Sequence, residues 1–306
     1  ILFVLTLLLF TTTIEIWHVF GLALLNGVSF SFVMPARAAM VPDVLGSAQS
    51  SSGIALFTTI FSTSQLIGPF IAGYLLNVDP IRMGWPFLAA NLMLIPSVGL
   101  LLFIHLPAPG SRQVPNERLS MFKSIAEGFV YTVSNQLLVG LLVLGLIFSV
   151  FGFPYQTLLP VFARDVLDVG PQGLGLLAGF GGVGAILGSF AVAVFSQGRQ
   201  LQALTVIGGL GFGITVMVFA YSSSFGFSLF LSLALGFLMQ IFMTANFTLV
   251  NVAAPAYIRG RVMGLRYLIM GMGPIGVFGV GYAAEIFGSP IALGVSGVVS
   301  LVLIAI

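Results

Sequence analysis

The sequence has very few of the side chains on which most enzymes and metal proteins depend. Its 306 residues include no cysteine, two histidines and one lysine. The lack of cysteine excludes disulfides, thiolate metal sites and cysteine nucleophiles. The single lysine, Lys123, follows a phenylalanine, which excludes a phosphate-binding loop of the Gly-Lys type. We therefore predict no metal site and no cofactor, and we do not expect an enzyme.

Charge is also scarce. Only 6% of the residues are charged and 58% are apolar, which gives a mean hydropathy of +1.16. Soluble domains carry roughly a quarter charged residues, so this chain has too little polar surface to be solvated by water. Its ten basic and eight acidic residues are scattered, which excludes a nucleic-acid-binding surface. The predicted partner is instead the lipid bilayer.

Apolar runs of about 20 residues, the length of a helix that crosses a bilayer, recur along the whole chain. We predict ten spans, at residues 1–11, 15–36, 48–77, 84–105, 136–163, 170–195, 201–220, 224–250, 263–286 and 289–306. A polar connector, residues 107–135, separates four spans from six. The predicted fold class is an all-α polytopic membrane protein with one helical half in 1–106 and a six-helix half in 136–306.

The basic residues indicate how the spans are oriented. Alternate loops lie on the same side of the membrane, and cytoplasmic loops are enriched in Lys and Arg. One set of loops carries Arg37, Arg112, Arg118, Lys123, Arg199, Arg259, Arg261 and Arg266, and the other carries Arg82 and Arg164. This ratio of eight to two predicts that the first set, with the connector, is cytoplasmic.

Two stretches share an order of glycine, proline and tyrosine residues that suggests an internal repeat. Gly-Pro followed by Gly-Tyr occurs at 68–74 in the third predicted span and at 273–282 in the ninth. Both follow a span that ends at an arginine-bearing loop, as two parallel six-helix halves would require. The chain opens and closes inside apolar runs. We therefore expect a piece of a longer protein that lacks the first two of twelve helices.

With this layout the chain resembles the major facilitator superfamily. The third span is similar to the antiporter signature of that family, which is carried here by Ala55, Ser64, Gly68, Pro69, Ala72 and Gly73. Three further segments resemble one branch of the superfamily more closely: residues 35–43 (PARAAMVPD), 158–167 (LLPVFARDVL) and 259–265 (RGRVMGL). These segments are similar to the enterobactin exporter and macrolide efflux branch of the superfamily.

The resemblance implies a transporter in the inner cell membrane that exports a small molecule, a siderophore or a drug-like solute. It implies alternating access with proton antiport, and the repeat with its central loop favours a monomer over an oligomeric channel. Import remains an alternative direction. A membrane-embedded enzyme is a further alternative, although we find no paired carboxylates or nucleophile with its base.

The superfamily lines its cavity with the first and fourth helices of each half, which are the second, fifth and eighth spans here. The resemblance thus implies substrate contacts by Asn26, Phe30, Met34, Phe148, Phe151, Tyr155, Gln240, Thr244, Thr248 and Asn251. The last four form one polar stripe on an otherwise apolar helix, and desolvated amides facing lipid would be costly. The aromatic residues have a second interpretation, which is packing between helices.

Several charged residues lie at cytoplasmic helix ends. Arg37 either extends its side chain to the membrane surface or forms a gate salt bridge with Asp43. Arg266, just inside the ninth span, has the same two interpretations, with substrate contact as a third, and Arg259 and Arg261 are further candidates for gating or charge. The G-x-G-x-x-G pattern at 179–184 lies inside an apolar span, so we predict packing glycines there and not a dinucleotide site.

Overall fold

A computed structural model describes residues 1–11, 13–45, 60, 64, 67–68, 71–73, 75, 84–102, 121–194, 199–255 and 257–305. In these ranges the chain forms helices joined by turns and contains no strand. The predicted all-α class is therefore confirmed. Most of the third predicted span, 48–77, lies outside the described residues.

The described helices follow the predicted spans closely. They are α1 (Leu2–Phe10), α2 (Ile16–Leu45), α3 (Gly84–Leu102), α4 (Met121–Val133), α5 (Gln136–Phe151), α6 (Pro154–Val161), α7 (Gly170–Val194), α8 (Arg199–Ala220), α9 (Phe225–Ala253), α10 (Arg259–Met270), α11 (Gly273–Phe287) and α12 (Ser289–Ala305). A π-helical turn, Phe162–Val166, continues α6. Among the described residues, five segments are long and apolar enough to cross a membrane, at 136–166, 170–194, 200–220, 225–253 and 259–287.

Two predicted spans are each divided by a break with a proline after it. Pro154 and Pro274 both lie in the first turn of the helix that follows the break. Proline is tolerated there because the first amides of a helix have no intrahelical acceptor. The spans predicted at 136–163 and 263–286 therefore each consist of two helical segments, α5 with α6 and α10 with α11.

Helix also extends beyond the predicted spans. α2 continues to Leu45, past the predicted end at 36, because the alanines and methionine at 38–40 favour helix. The connector, predicted as a loop, contains α4. Apolar residues recur on one face of α4, and polar residues lie on the other, so this segment can form a helix at a membrane surface.

Contacts between Cα atoms divide the chain into two compact units, 1–64 with 70–114 and 65–69 with 115–306. In the first unit α1 packs against α3. Asn91 donates a hydrogen bond to Thr6 Oγ1 over 2.7 Å, and Phe10 meets Trp85 edge to face at 5.7 Å between ring centroids. The predicted assignment of two six-helix halves stays a prediction.

Glycines set the spacing between α7 and α9 in the second unit. A Cβ atom added to Gly184 would lie 1.9 Å from the Leu233 carbonyl oxygen, and one added to Gly236 would lie 1.8 Å from that of Gly181. The two backbones can approach this closely only without side chains, as in small-residue contacts between membrane helices. The glycines at 179–184 therefore serve packing, as predicted.

The connector helix α4 lies against the start of α10. Arg261 forms an ion pair with Glu127, and Tyr131 meets Tyr257 edge to face at 6.2 Å. A Cβ atom on Gly128 would lie 2.9 Å from Arg261 Cβ. These contacts place α4 and the start of α10 at the same end of the second unit, which agrees with the predicted grouping of their loops.

Candidate functional site

The polar stripe predicted on α9 exists as one face of a continuous helix. Gln240 donates a hydrogen bond to Thr244 Oγ1 over 2.9 Å, and Thr248 Oγ1 donates to the Thr244 carbonyl oxygen over 2.8 Å. These three side chains and Asn251 are all half-buried among the described residues. Their polar groups are thus partly satisfied within α9 and partly accessible.

A second polar group lies on the opposite side of α9. A helix turns by about 100° per residue, which places Asn246 roughly opposite the stripe. Asn246 is 1% exposed, and its amide nitrogen donates to the Leu141 carbonyl oxygen of α5 over 2.9 Å. Its oxygen accepts a hydrogen bond from Arg266 Nε over 3.3 Å. Asn246 thus ties together α5, α9 and α10.

Arg266 lies inside a span and not in a loop. It is 6% exposed and stands seven residues, about 10 Å, beyond the start of α10. This agrees with its predicted place just inside the ninth span, and without it the predicted cytoplasmic set keeps seven basic residues against two. The orientation bias that the sequence predicted therefore remains strong.

The partners of Arg266 are all neutral. Besides Asn246, its Nη1 lies 3.2 Å from Met270 Sδ, and its Cζ lies 4.9 Å from the centroid of the Phe247 ring. Ion pairs involving other arginines are Arg164 with Asp165 and Arg261 with Glu127, and no carboxylate of the described ranges lies within 4.0 Å of Arg266. Its positive charge is therefore uncompensated in this part of the chain.

The break between α10 and α11 comes directly after Met270. Ser149 Oγ of α5 donates to the Met270 carbonyl oxygen over 3.2 Å, which satisfies one acceptor at the end of α10. A Cβ atom on Gly276 would lie 1.7 Å from the Val150 carbonyl oxygen. The broken helix is thus held tightly against α5, one turn from Arg266.

Two of the three aromatic candidates of the fifth span are buried. Phe148 is completely buried and stacks on Phe242 with ring centroids 4.2 Å apart. Tyr155 is 5% exposed and donates to Ser232 Oγ over 3.3 Å. Phe151 is half-buried, and its carbonyl oxygen accepts from Ser296 Oγ over 2.8 Å. The contacts of Phe148 and Tyr155 are contacts between helices, and their predicted place in the cavity stays a prediction.

Other candidates fall in the first unit or at helix ends. Asn26 is exposed on α2. Phe30, Met34, Arg37 and Asp43 belong to the same helix by their backbones, but their side chains lie outside the described part, as do Ala55 and Pro69 of the antiporter-type motif. The other motif residues, Ser64, Gly68, Ala72 and Gly73, are helical. Arg259 is exposed and donates to the Ala254 carbonyl oxygen over 3.1 Å.

The structure brings Asn246, Arg266 and Ser149 close together, although they stand far apart in the sequence. Arg266 was a candidate, but Asn246 was not, and Ser149 carried no signal in the sequence. The two helices that carry Asn246 and Arg266 meet only after the chain has folded, so spacing along the sequence could not pair them. Among the described residues no three His, Asp or Glu side chains come together to hold a metal ion.

Comparison with known proteins gives one family over the whole chain. The family model described as transmembrane secretion effector, of the major facilitator superfamily, matches residues 2–306. Arginine loops, broken spans and glycine-packed helices of this chain all lie within the matched range.

Several curated relatives of the chain are named as transporters or efflux proteins. The chain is 23% identical to the staphyloferrin A transporter of Staphylococcus aureus, over 94% of this chain and 70% of that protein. It is 25% identical to the multidrug efflux pump Tap of Mycolicibacterium fortuitum, over 83% and 62%. It is 22% identical to macrolide efflux protein A of Enterococcus faecalis, over 90% and 85%. The chain therefore belongs to the transmembrane secretion effector family of the major facilitator superfamily and is a multi-pass membrane protein.

Proposed function

We propose that the protein is a secondary transporter that exports a small molecule, a siderophore or a drug-like solute, from the cytoplasm. The observation that carries this proposal is the half-buried polar stripe of α9, which lies on a helix apolar enough to cross the membrane. The names of two relatives, a multidrug efflux pump and a macrolide efflux protein, support the outward direction.

The stripe is suited to a solute that must bind and leave again. Gln240 and Thr244 bond to each other, so a solute can exchange with an internal partner instead of exposing an unsatisfied amide. Transport needs such moderate affinity, because a carrier must release its solute on the far side. Alternating access with proton antiport is the mechanism that the family resemblance supports.

We expect transport to depend on the stripe and not on α9 as a whole. Changing Gln240→Leu or Thr244→Val removes one hydrogen bond to the solute, which should lower the transport rate at limiting solute about tenfold. Thr215→Val on α8 is a matched control, because Thr215 bonds to its own helix at the Gly211 carbonyl oxygen over 2.7 Å. The measurement is solute flux in proteoliposomes made from the full-length protein.

Flux measured in vesicles of known orientation distinguishes an exporter from an importer. Solute uptake into inside-out vesicles whose lumen is more acidic than the external buffer supports export by proton antiport. Uptake only in the opposite orientation would show an importer, and an equal loss of flux in Thr215→Val would show that the stripe has no special role.

A further inference from the structure

Among the described residues, Arg266 is the only charged residue that is buried. It is 6% exposed within an apolar span, and its contacts are an amide oxygen, a thioether and an aromatic ring. A charged side chain inside a membrane is costly, and such residues usually mark a pathway or a binding site. Neutral partners reduce this cost but leave the charge in place.

The guanidinium of Arg266 also has N–H donors that no strong acceptor engages. Nε is engaged by Asn246 over 3.3 Å, and Nη1 faces only the weakly accepting sulfur of Met270 at 3.2 Å. Nη2 makes no hydrogen bond to a described residue. The two terminal nitrogens of an arginine form the fork that binds a carboxylate with two parallel hydrogen bonds.

Asn246 holds this fork on the buried side of α9, away from the polar stripe. It fixes Nε from one side of α9, while the guanidinium lies over the ring of Phe247. By the helical rotation of about 100° per residue, Phe247 stands between Asn246 and the stripe residue Asn251. A group bound at the terminal nitrogens of Arg266 therefore lies beside Phe247, on the flank of α9 between Asn246 and the stripe.

We propose that Arg266 binds a carboxylate group of the exported solute and that Asn246 is its positioning residue. This inference rests on the proposed function and assigns the substrate class, an organic anion. An isolated positive charge in a low-dielectric site attracts an anion more strongly than it would in water. The bound carboxylate supplies the countercharge that the described residues lack.

The test measures binding of citrate to the purified full-length protein, with ionic strength held constant by sodium chloride. Citrate is expected to bind more tightly than chloride, and triethyl citrate, which has no carboxylate, is expected not to bind. Arg266→Gln should raise the citrate Kd about tenfold or more, and Arg266→Lys should raise it less, because it keeps the charge but loses the fork. Arg164→Gln is the matched control, since the Arg164 side chain is 78% exposed.

Asn246→Asp provides a second variant of nearly the same shape. It places a carboxylate beside Arg266, so the internal ion pair should compete with citrate and raise its Kd about tenfold. Equal citrate binding by the wild type and both variants would overturn the proposal, as would wild-type binding no tighter than chloride. A role in structure alone predicts that both variants lower the thermal midpoint without changing the citrate Kd of the folded fraction.

A parallel measurement of citrate flux in proteoliposomes separates this inference from the proposed function. Citrate flux by the wild type that Arg266→Gln abolishes together with citrate binding supports both, and citrate flux that persists in Arg266→Gln would overturn this inference and leave the transport proposal in place. Wild-type citrate binding without flux of any solute would contradict the transport proposal and leave the anion site in place.

Discussion

Replacing Gly276 with alanine is expected to prevent the second unit from packing correctly. The added methyl carbon would lie 1.7 Å from the Val150 carbonyl oxygen and 2.5 Å from its carbon. Backbone atoms cannot rotate away as a side chain can, so α11 must move off α5. Overpacking of this kind costs about 3 kcal/mol or more, which is a large part of the stability of a typical domain.

Gly279→Ala on the same helix is the matched control, because nothing lies within 4 Å of its added Cβ atom. The measurement is the yield and thermal midpoint of the detergent-solubilised protein. Gly236→Ala and Gly226→Ala on α9 form a second pair, in which Gly236 meets backbone at 1.8 Å and Gly226 meets nothing. Equal midpoints within each pair would show that these helices do not touch as described.

Truncating Phe148 to alanine is expected to be almost as damaging. Phe148 is completely buried, and its ring lies 4.2 Å from that of Phe242 and 4.8 Å from that of Phe212. Removing a buried phenylalanine ring leaves a cavity and costs about 3–5 kcal/mol in well-packed proteins. Phe278→Ala on α11 removes the same ring from a position that is 78% exposed and should change the midpoint little.

This comparison also decides between the two interpretations of Phe148. A packing residue lowers the thermal midpoint and the amount of protein, while the flux per folded molecule stays near that of the wild type. A residue that lines the cavity would instead keep the midpoint and change the affinity for the solute.

Much of the helical layout could be predicted from the sequence, because the bilayer demands long apolar segments and leaves few alternatives. The predicted spans at 170–195 and 201–220 agree with α7 and α8 within a few residues. The breaks at Gly152 and Gly271 were not predicted. Proline inside an apolar run is compatible with either a bend or an interruption, and contacts with neighbouring helices decide between them.

The site was harder to predict than the fold. Periodicity predicted the stripe of α9, since all its members belong to one helix. Asn246 belongs to the same helix but is buried, and its partner Arg266 stands on another helix. Contacts between helices depend on packing in three dimensions, and a single sequence contains no direct signal for them.

Cysteine labelling tests the central claim, a bundle of membrane-spanning helices with its arginine-bearing turns on the cytoplasmic side. The chain has no cysteine, so Ser134→Cys, Tyr257→Cys and Ser223→Cys each introduce one thiol into it at an exposed position. With a membrane-impermeant maleimide, we expect the thiols at 134 and 257 to react only from the cytoplasmic side and the thiol at 223 only from the outside. Reaction of positions 134 and 257 from opposite sides would contradict the account.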